Sequence, residues 1–159
     1  HMPFGNKQVY AEEVKKARDL IDEGYRHRLR IRGTPVFKQK TRQALKLVKT
    51  ACYYDFLRTY ISSIIEIDGL TQLREADAAI WANKYAVENP VDAASLFVQK
   101  ANHMREFIEG KLYYGGEAET RSVQKRIEFL KTLKKKTRKK EVKEECERLL
   151  DRWTESVFL

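Results

Sequence analysis

The sequence predicts an all-α fold, a single-domain bundle of five to seven helices with one short extended, arginine-rich segment at about residues 25–32. Three observations carry this expectation. The 159 residues include only 7 Gly and 3 Pro, too few turn formers for many short strands. Apolar residues recur at helical spacing along most of the chain. A single stretch, "GYRHRLRIRGTPVF" at 24–37, alternates with a period of two. The length suits one domain with a sizeable core, residues 3–159, with His1 and Met2 reading as a cloning remnant. Apolar content of 42% beside charged content of 35% fits helices with solvated faces better than a disordered chain.

The first helix is expected over about 7–23, with Val9, Val14, Ala17, Leu20 and Ile21 as its stripe and Gly24 as its stop. In the alternating stretch, a helix would stack Arg26 on Arg30 and Arg28 on Arg32, like charges four apart. An extended chain instead puts Tyr25, His27, Leu29 and Ile31 on one face and the arginines on the other. Such a segment needs a partner for its backbone groups, whether another part of the chain, a second copy or a ligand. Thr34 and Pro35 open the next helix as N-cap and first residue. Helical spacing then persists from Val36 to Ile67, nearly apolar all round near "ACYYDFLRTYISSII", which predicts a central helix. The composition of "YISSIIEI" also suits a strand, so a break near 59–63 is an alternative. A helix over 70–87 would turn Leu73, Ala76, Ile80, Trp81 and Tyr85 inward, and Asn89-Pro90 caps the one after it. That helix is expected to halt at the exposed pair Tyr113 and Tyr114 with Gly115 and Gly116. Val123, Ile127, Leu130 and Leu133 mark a further helix, and Val142, Cys146, Leu149, Leu150, Trp153 and Val157 mark the last. Between them "KKKTRKKE" is either a solvated helical bridge or a basic turn.

The net charge of +9 is unevenly placed. Residues 24–54 hold 9 basic side chains and no acidic one, and 131–159 hold 10 basic against 6 acidic. Thirty-one residues without a carboxylate cannot neutralise themselves locally. Arg26, Arg28, Arg30 and Arg32, continued by Lys38, Arg42 and Lys46 on the following helix, are the primary candidate surface for nucleic-acid phosphates. Arginine suits bidentate phosphate contact. Tyr25 and His27 are candidates for base stacking. Lys135, Lys136, Lys139 and Lys140 form a secondary, lysine-rich candidate surface suited to nonspecific attraction.

Catalytic signatures are lacking in the sequence: no Gly-rich phosphate loop, serine elbow or Cys-His zinc spacing occurs. His103 and Glu106 share a helical face at a spacing of three but lack the four inward carboxylates of a di-iron bundle. Asp55, inside an apolar stretch, is expected to form a buried ion pair with an arginine of 26–32. Cys52 and Cys146 are expected to be buried, reduced and structural. No run approaches the roughly 20 apolar residues of a membrane span, and the start lacks a signal peptide's apolar stretch, so a cytoplasmic location is expected. The expected function is non-enzymatic nucleic-acid binding, to RNA or DNA, without cofactor or metal. The alternative is a protein-interaction or assembly module whose basic segment docks an acidic partner or a second copy of the chain.

Overall fold

The computed structural model describes residues 7–111 and 115–158. In chain order these form α1 (Lys7–Asp22), β1 (Arg30–Arg32), α2 (Pro35–Thr50), α3 (Tyr54–Tyr60), β2 (Ser63–Ile67), β3 (Gln72–Arg74), β4 (Ala79–Asn83), α4 (Pro90–Ile108), α5 (Gly116–Lys136) and α6 (Lys140–Phe158). Short 3₁₀ turns at Glu75–Asp77 and Lys84–Val87 flank β4. The four strands make one mixed sheet in the order β1-β2-β4-β3. The fold is therefore α/β, which corrects the all-α expectation. The difference lies in two places, the helical spacing expected from Val36 to Ile67, where the alternative of a break near 59–63 matches the step from α3 to β2, and the helix expected over 70–87.

The first difference has an identifiable cause. α1 and α4 end in the same motif, a left-handed glycine with two reversed hydrogen bonds. Gly24 (φ 92°) donates to Ile21 O while Tyr25 N donates to Leu20 O, and Gly110 (φ 79°) donates to Phe107 O while Lys111 N donates to Glu106 O. α2 ends identically, with Cys52 N donating to Lys49 O and Tyr53 N to Val48 O, but the left-handed residue is Cys52 at φ 63°. A non-glycine residue in that conformation costs about 1–2 kcal/mol, and it leaves no punctuation in the sequence. The position is exposed, so Cys52→Gly is expected to raise stability by about 0.5–1 kcal/mol, read as a higher denaturant midpoint at unchanged slope. The expectation that Cys52 is buried is corrected by the same geometry, whereas Cys146 is buried and its thiol is pushed up to about 11 by desolvation.

In both places β-branched or alternating residues also fit a helical stripe. Ile64, Ile65 and Ile67 are stiff at χ1 and pack well on a pleated surface. Ile80 and Ala82 alternate with Trp81 and Asn83. In register, Ile31, Ile64, Ile80 and Leu73 lie side by side across the four strands. Ile64 and Ile80 are fully buried, and Leu29, Ile31 and Leu73 pack against the same core. Asn83 holds the chain at the end of β4: its amide donates to Asp68 O (3.2 Å) and Gly69 O (3.0 Å), and its carbonyl accepts from Tyr85 N.

The helices lie on the core side of this sheet. α4 is buried nearly all round, through residues such as Phe97, Val98 and Ala101, and packs against α2, α3 and α5. Its start is set by Asn89, whose Oδ1 accepts from Asp92 N at 3.0 Å, and α2 is likewise capped by Thr34 accepting from Phe37 N at 3.2 Å. α5 and α6 form an antiparallel pair joined by a tight turn at 137–139, with Thr137 buried. Of the two alternatives for the lysine-rich stretch, the basic turn is the one observed, confined to 137–139 between the end of α5 and the start of α6. The tyrosines Tyr113 and Tyr114 lie outside the described residues.

Tyr53 joins α3 to α5. Its hydroxyl donates to Glu128 Oε2 at 2.9 Å, and Lys125 pairs with the same carboxylate at 2.7 Å. Desolvation first, then Glu128, raises the phenol from its ordinary 10 to about 12. A raised folded value favours the protonated form, so this contribution to stability is complete below pH 10 and is lost as pH rises toward 12. Burial raises Tyr60 as well, and ultraviolet titration of the phenolates is expected to show a late step that shrinks by one tyrosine in Tyr53→Phe.

Candidate nucleic-acid interface

Strand alternation divides the sheet into two unlike faces. Opposite the core side lie Arg30 and Arg32 of β1, Ser63, Ile65 and Ile67 of β2, Ala79, Trp81 and Asn83 of β4, and Gln72 and Arg74 of β3. None of Ile65, Ile67 and Trp81 belongs to the hydrophobic core or packs against it; all three are half-buried. Two rows cross this face: Arg30–Ser63–Ala79–Arg74 and Arg32–Ile65–Trp81–Gln72. At about 4.8 Å per strand, Arg32 stands roughly 10 Å from Trp81 and Arg30 roughly 14 Å from Arg74 at the backbone.

This face carries three arginines and no carboxylate. The one acid of β2, Glu66, falls on the other face by parity and is held there. Its Oε1 accepts from Thr34 N at 2.8 Å, at the positive end of α2. Gly33 makes room for it, since a Cβ there would come within 2.8 Å of Glu66 and of Phe37. Arg30, Arg32 and Arg74 take part in no ion pair among the described residues. The Arg74 guanidinium instead lies 4.1 Å from the centre of the Trp81 ring, as diagonal neighbours on one face can.

The arginine segment is extended, but only Arg30–Arg32 is a strand. It is anchored by the chain's own β2, in parallel register from Arg30 opposite Ser63 to Arg32 opposite Ile65. Upstream, His27 N donates to Arg58 O at 2.8 Å and Arg58 Nε donates to His27 O at 3.0 Å. Arg58 thus fixes the arm, a role its sequence position in an apolar stretch does not suggest. Arg28 is exposed. Arg26 reaches Asp55 at 3.9 Å, and Arg58 reaches the same oxygen at 3.6 Å. The expected Asp55 pair forms, but Asp55 is 68% exposed in the first turn of α3. The expectation of a buried pair is therefore corrected, and water screens it to at most about 1 kcal/mol.

Tyr25 and His27 do not face the arginine side. They meet edge to face at 5.2 Å and line a cavity of about 160 Å³ with Ala17, Ile21, Tyr60 and Ile108. Burial lowers the imidazole of His27 below its ordinary value, which favours its neutral form. Arg42 and Lys46 are exposed and Lys38 half-buried along α2, whose opposite flank (Phe37, Thr41, Ala44, Leu45, Val48) is buried. Because α2 sits on the core side of β1, this ridge and the Arg30/Arg32 row flank the edge strand from two sides and do not make one line.

Lys135, Lys136, Lys139 and Lys140 are exposed around the α5–α6 turn. Lys135 and Lys136 complement the negative end of α5, while Lys139 and Lys140 stand at the positive end of α6 and gain nothing from it. Glu106 is bonded to Arg121 Nε at 2.8 Å, and the imidazole of His103 is lowered by burial first, against a smaller opposing effect of Glu106. Among the described residues, no group of three or more His, Cys, Asp or Glu is placed to hold a metal ion, and no helix is long and apolar enough to cross a membrane. Sequence reasoning missed Arg74 and Trp81, the residues that give the open face its character. Nothing in "AIWAN" separates its two faces, since four of its five residues are apolar. No protein-family model, curated protein or solved structure matches this chain.

Proposed function

We propose that the protein is a cytoplasmic, non-enzymatic nucleic-acid-binding protein that holds the sugar-phosphate backbone on the open face of its sheet. One observation carries this reading: the ten side chains of that face include Arg30, Arg32 and Arg74 and no acid. Guanidinium forks match phosphate oxygens, and no ion pair has to be broken before they bind. Arg28 extends the surface upstream. Arg26 contributes less, being shared with Asp55. Lys38, Arg42 and Lys46 would engage backbone that passes around the β1 edge, and the lysines of the α5–α6 turn would add diffuse attraction. Two free cysteines accord with a reducing compartment.

A second reading rests on the position of β1 at the edge of the sheet, where no strand among the described residues pairs with its outer side and an extended segment of an acidic protein or of a second copy would add on. Fluorescence anisotropy with labelled random single-stranded RNA and with duplex DNA separates the two. The proposed function requires submicromolar binding to one of them that survives near-physiological salt. Its absence for both, with a stable homo-oligomer on sedimentation, would transfer the role to the edge strand.

A further inference from the structure

We infer that the open face takes single-stranded nucleic acid, with an unpaired base stacked on Trp81 and the flanking phosphates on Arg32 and Arg30. The inference rests on the nucleic-acid reading and narrows it to a strand whose bases are free. A surface that only neutralises phosphates needs no aromatic group. Here the largest aromatic side chain of the sheet sits on a central strand of the cationic face, outside the core, with Ile65 beside it in the same row. A four-stranded sheet with one face covered by helices and aromatic side chains on the other is a geometry that presents flat stacking surfaces to bases.

Arg74 now occupies the ring face at 4.1 Å, and Trp81 Nε1 is buried without a hydrogen-bond partner, alone in this among the polar side-chain atoms of the open face. A guanidinium on an indole is exchangeable for a base, because both are planar groups held mainly by stacking and charge. When a base takes that place, Arg74 is released toward phosphate, and the indole N–H gains access to a base or sugar oxygen. Arg32 lies two strands away and Arg30 one row further, a span that about two or three nucleotides of an extended strand cover. Paired bases in a duplex are stacked on each other and cannot enter.

The chain has two tryptophans, so a Trp153→Phe variant leaves Trp81 as the only indole and its fluorescence as the probe. Titration with a single-stranded RNA or DNA dodecamer is expected to quench it saturably, while inorganic polyphosphate of similar charge binds without that quench. Trp81→Leu is expected to weaken single-strand binding about tenfold or more and to leave polyphosphate affinity unchanged. Trp81→Phe, which keeps a ring, is expected to lie between the two, so a loss caused by misfolding shows as equal loss for both ligands. Equal affinity for single strand and duplex with no change at Trp81 would overturn the stacking inference while the nucleic-acid reading stands. Absence of binding to every nucleic acid would overturn both.

Discussion

Replacing Arg30 and Arg32 together by Gln is expected to lower nucleic-acid affinity by on the order of 100-fold and to flatten its salt dependence. Each charge-assisted contact to phosphate contributes about 1.5–3 kcal/mol, and each neutralised phosphate adds about 0.7 (single strand) to 0.9 (duplex) to the slope of log K against log salt. Losing two contacts should reduce the slope by roughly 1.4–1.8. Both side chains are exposed on an edge strand and lie outside the core, so melting temperature should stay within a degree or two of the parent. The Arg30→Lys/Arg32→Lys pair separates charge from geometry: the slope should be kept, and affinity should fall because the bidentate fork is gone. Gln at Lys135 and Lys136 should change the slope less. An unchanged slope in the arginine double variant would remove the β1 row from the interface.

Arg126→Ala should destabilise the fold by about 3 kcal/mol, a fall in melting temperature on the order of 10 °C for a chain of this size. Arg126 is 6% exposed. Its Nε donates to Ser95 Oγ at 3.2 Å, Nη1 to Gln99 Oε1 at 3.1 Å, and Nη2 to Asp92 Oδ1 at 2.7 Å and Asp92 O at 3.3 Å. The guanidinium also lies 4.3 Å from the centre of the Trp153 ring. One side chain of α5 therefore ties the first turns of α4 to α6. Truncation leaves Gln99 and Ser95 short of a donor in the interior, whereas Asp92, 37% exposed, recovers part of its solvation from water. Arg126→Lys keeps the charge but not the fork and should cost less than half as much. Thermal unfolding followed by circular dichroism measures both.

How much of this was legible in the sequence depends on which residues did the marking. Where a helix end carried glycine or a proline-assisted cap, as at Gly24, Thr34-Pro35 and Asn89-Pro90, the pattern predicted the boundary. Where Cys52 took the left-handed position, nothing marked the end of α2, and the reading ran on into β2. The arginine alternation was readable because charge and apolar groups differ sharply. The alternation in β4 was not, since Ala79, Ile80, Trp81 and Ala82 are all apolar and their two faces differ only in what packs on them. That difference is tertiary. The same holds for the candidate interface. Arg30 and Arg32 stood out as an acid-free cluster, but Arg74 and Trp81 join them only through the pairing of β4 with β2 and β3. Arg126 was hidden among the many basic residues of α5 because its importance comes from three residues on another helix.

The central claim is that the open sheet face is the binding surface, and mapping backbone amide shifts in ¹⁵N spectra on adding a single-stranded dodecamer tests it most directly. The account predicts the largest changes at residues 30–32, 63–67, 72–74 and 79–83, with the Trp81 indole N–H among them. Shifts confined to residues 131–140, or to α2 alone, would contradict it and make the sheet arginines bystanders.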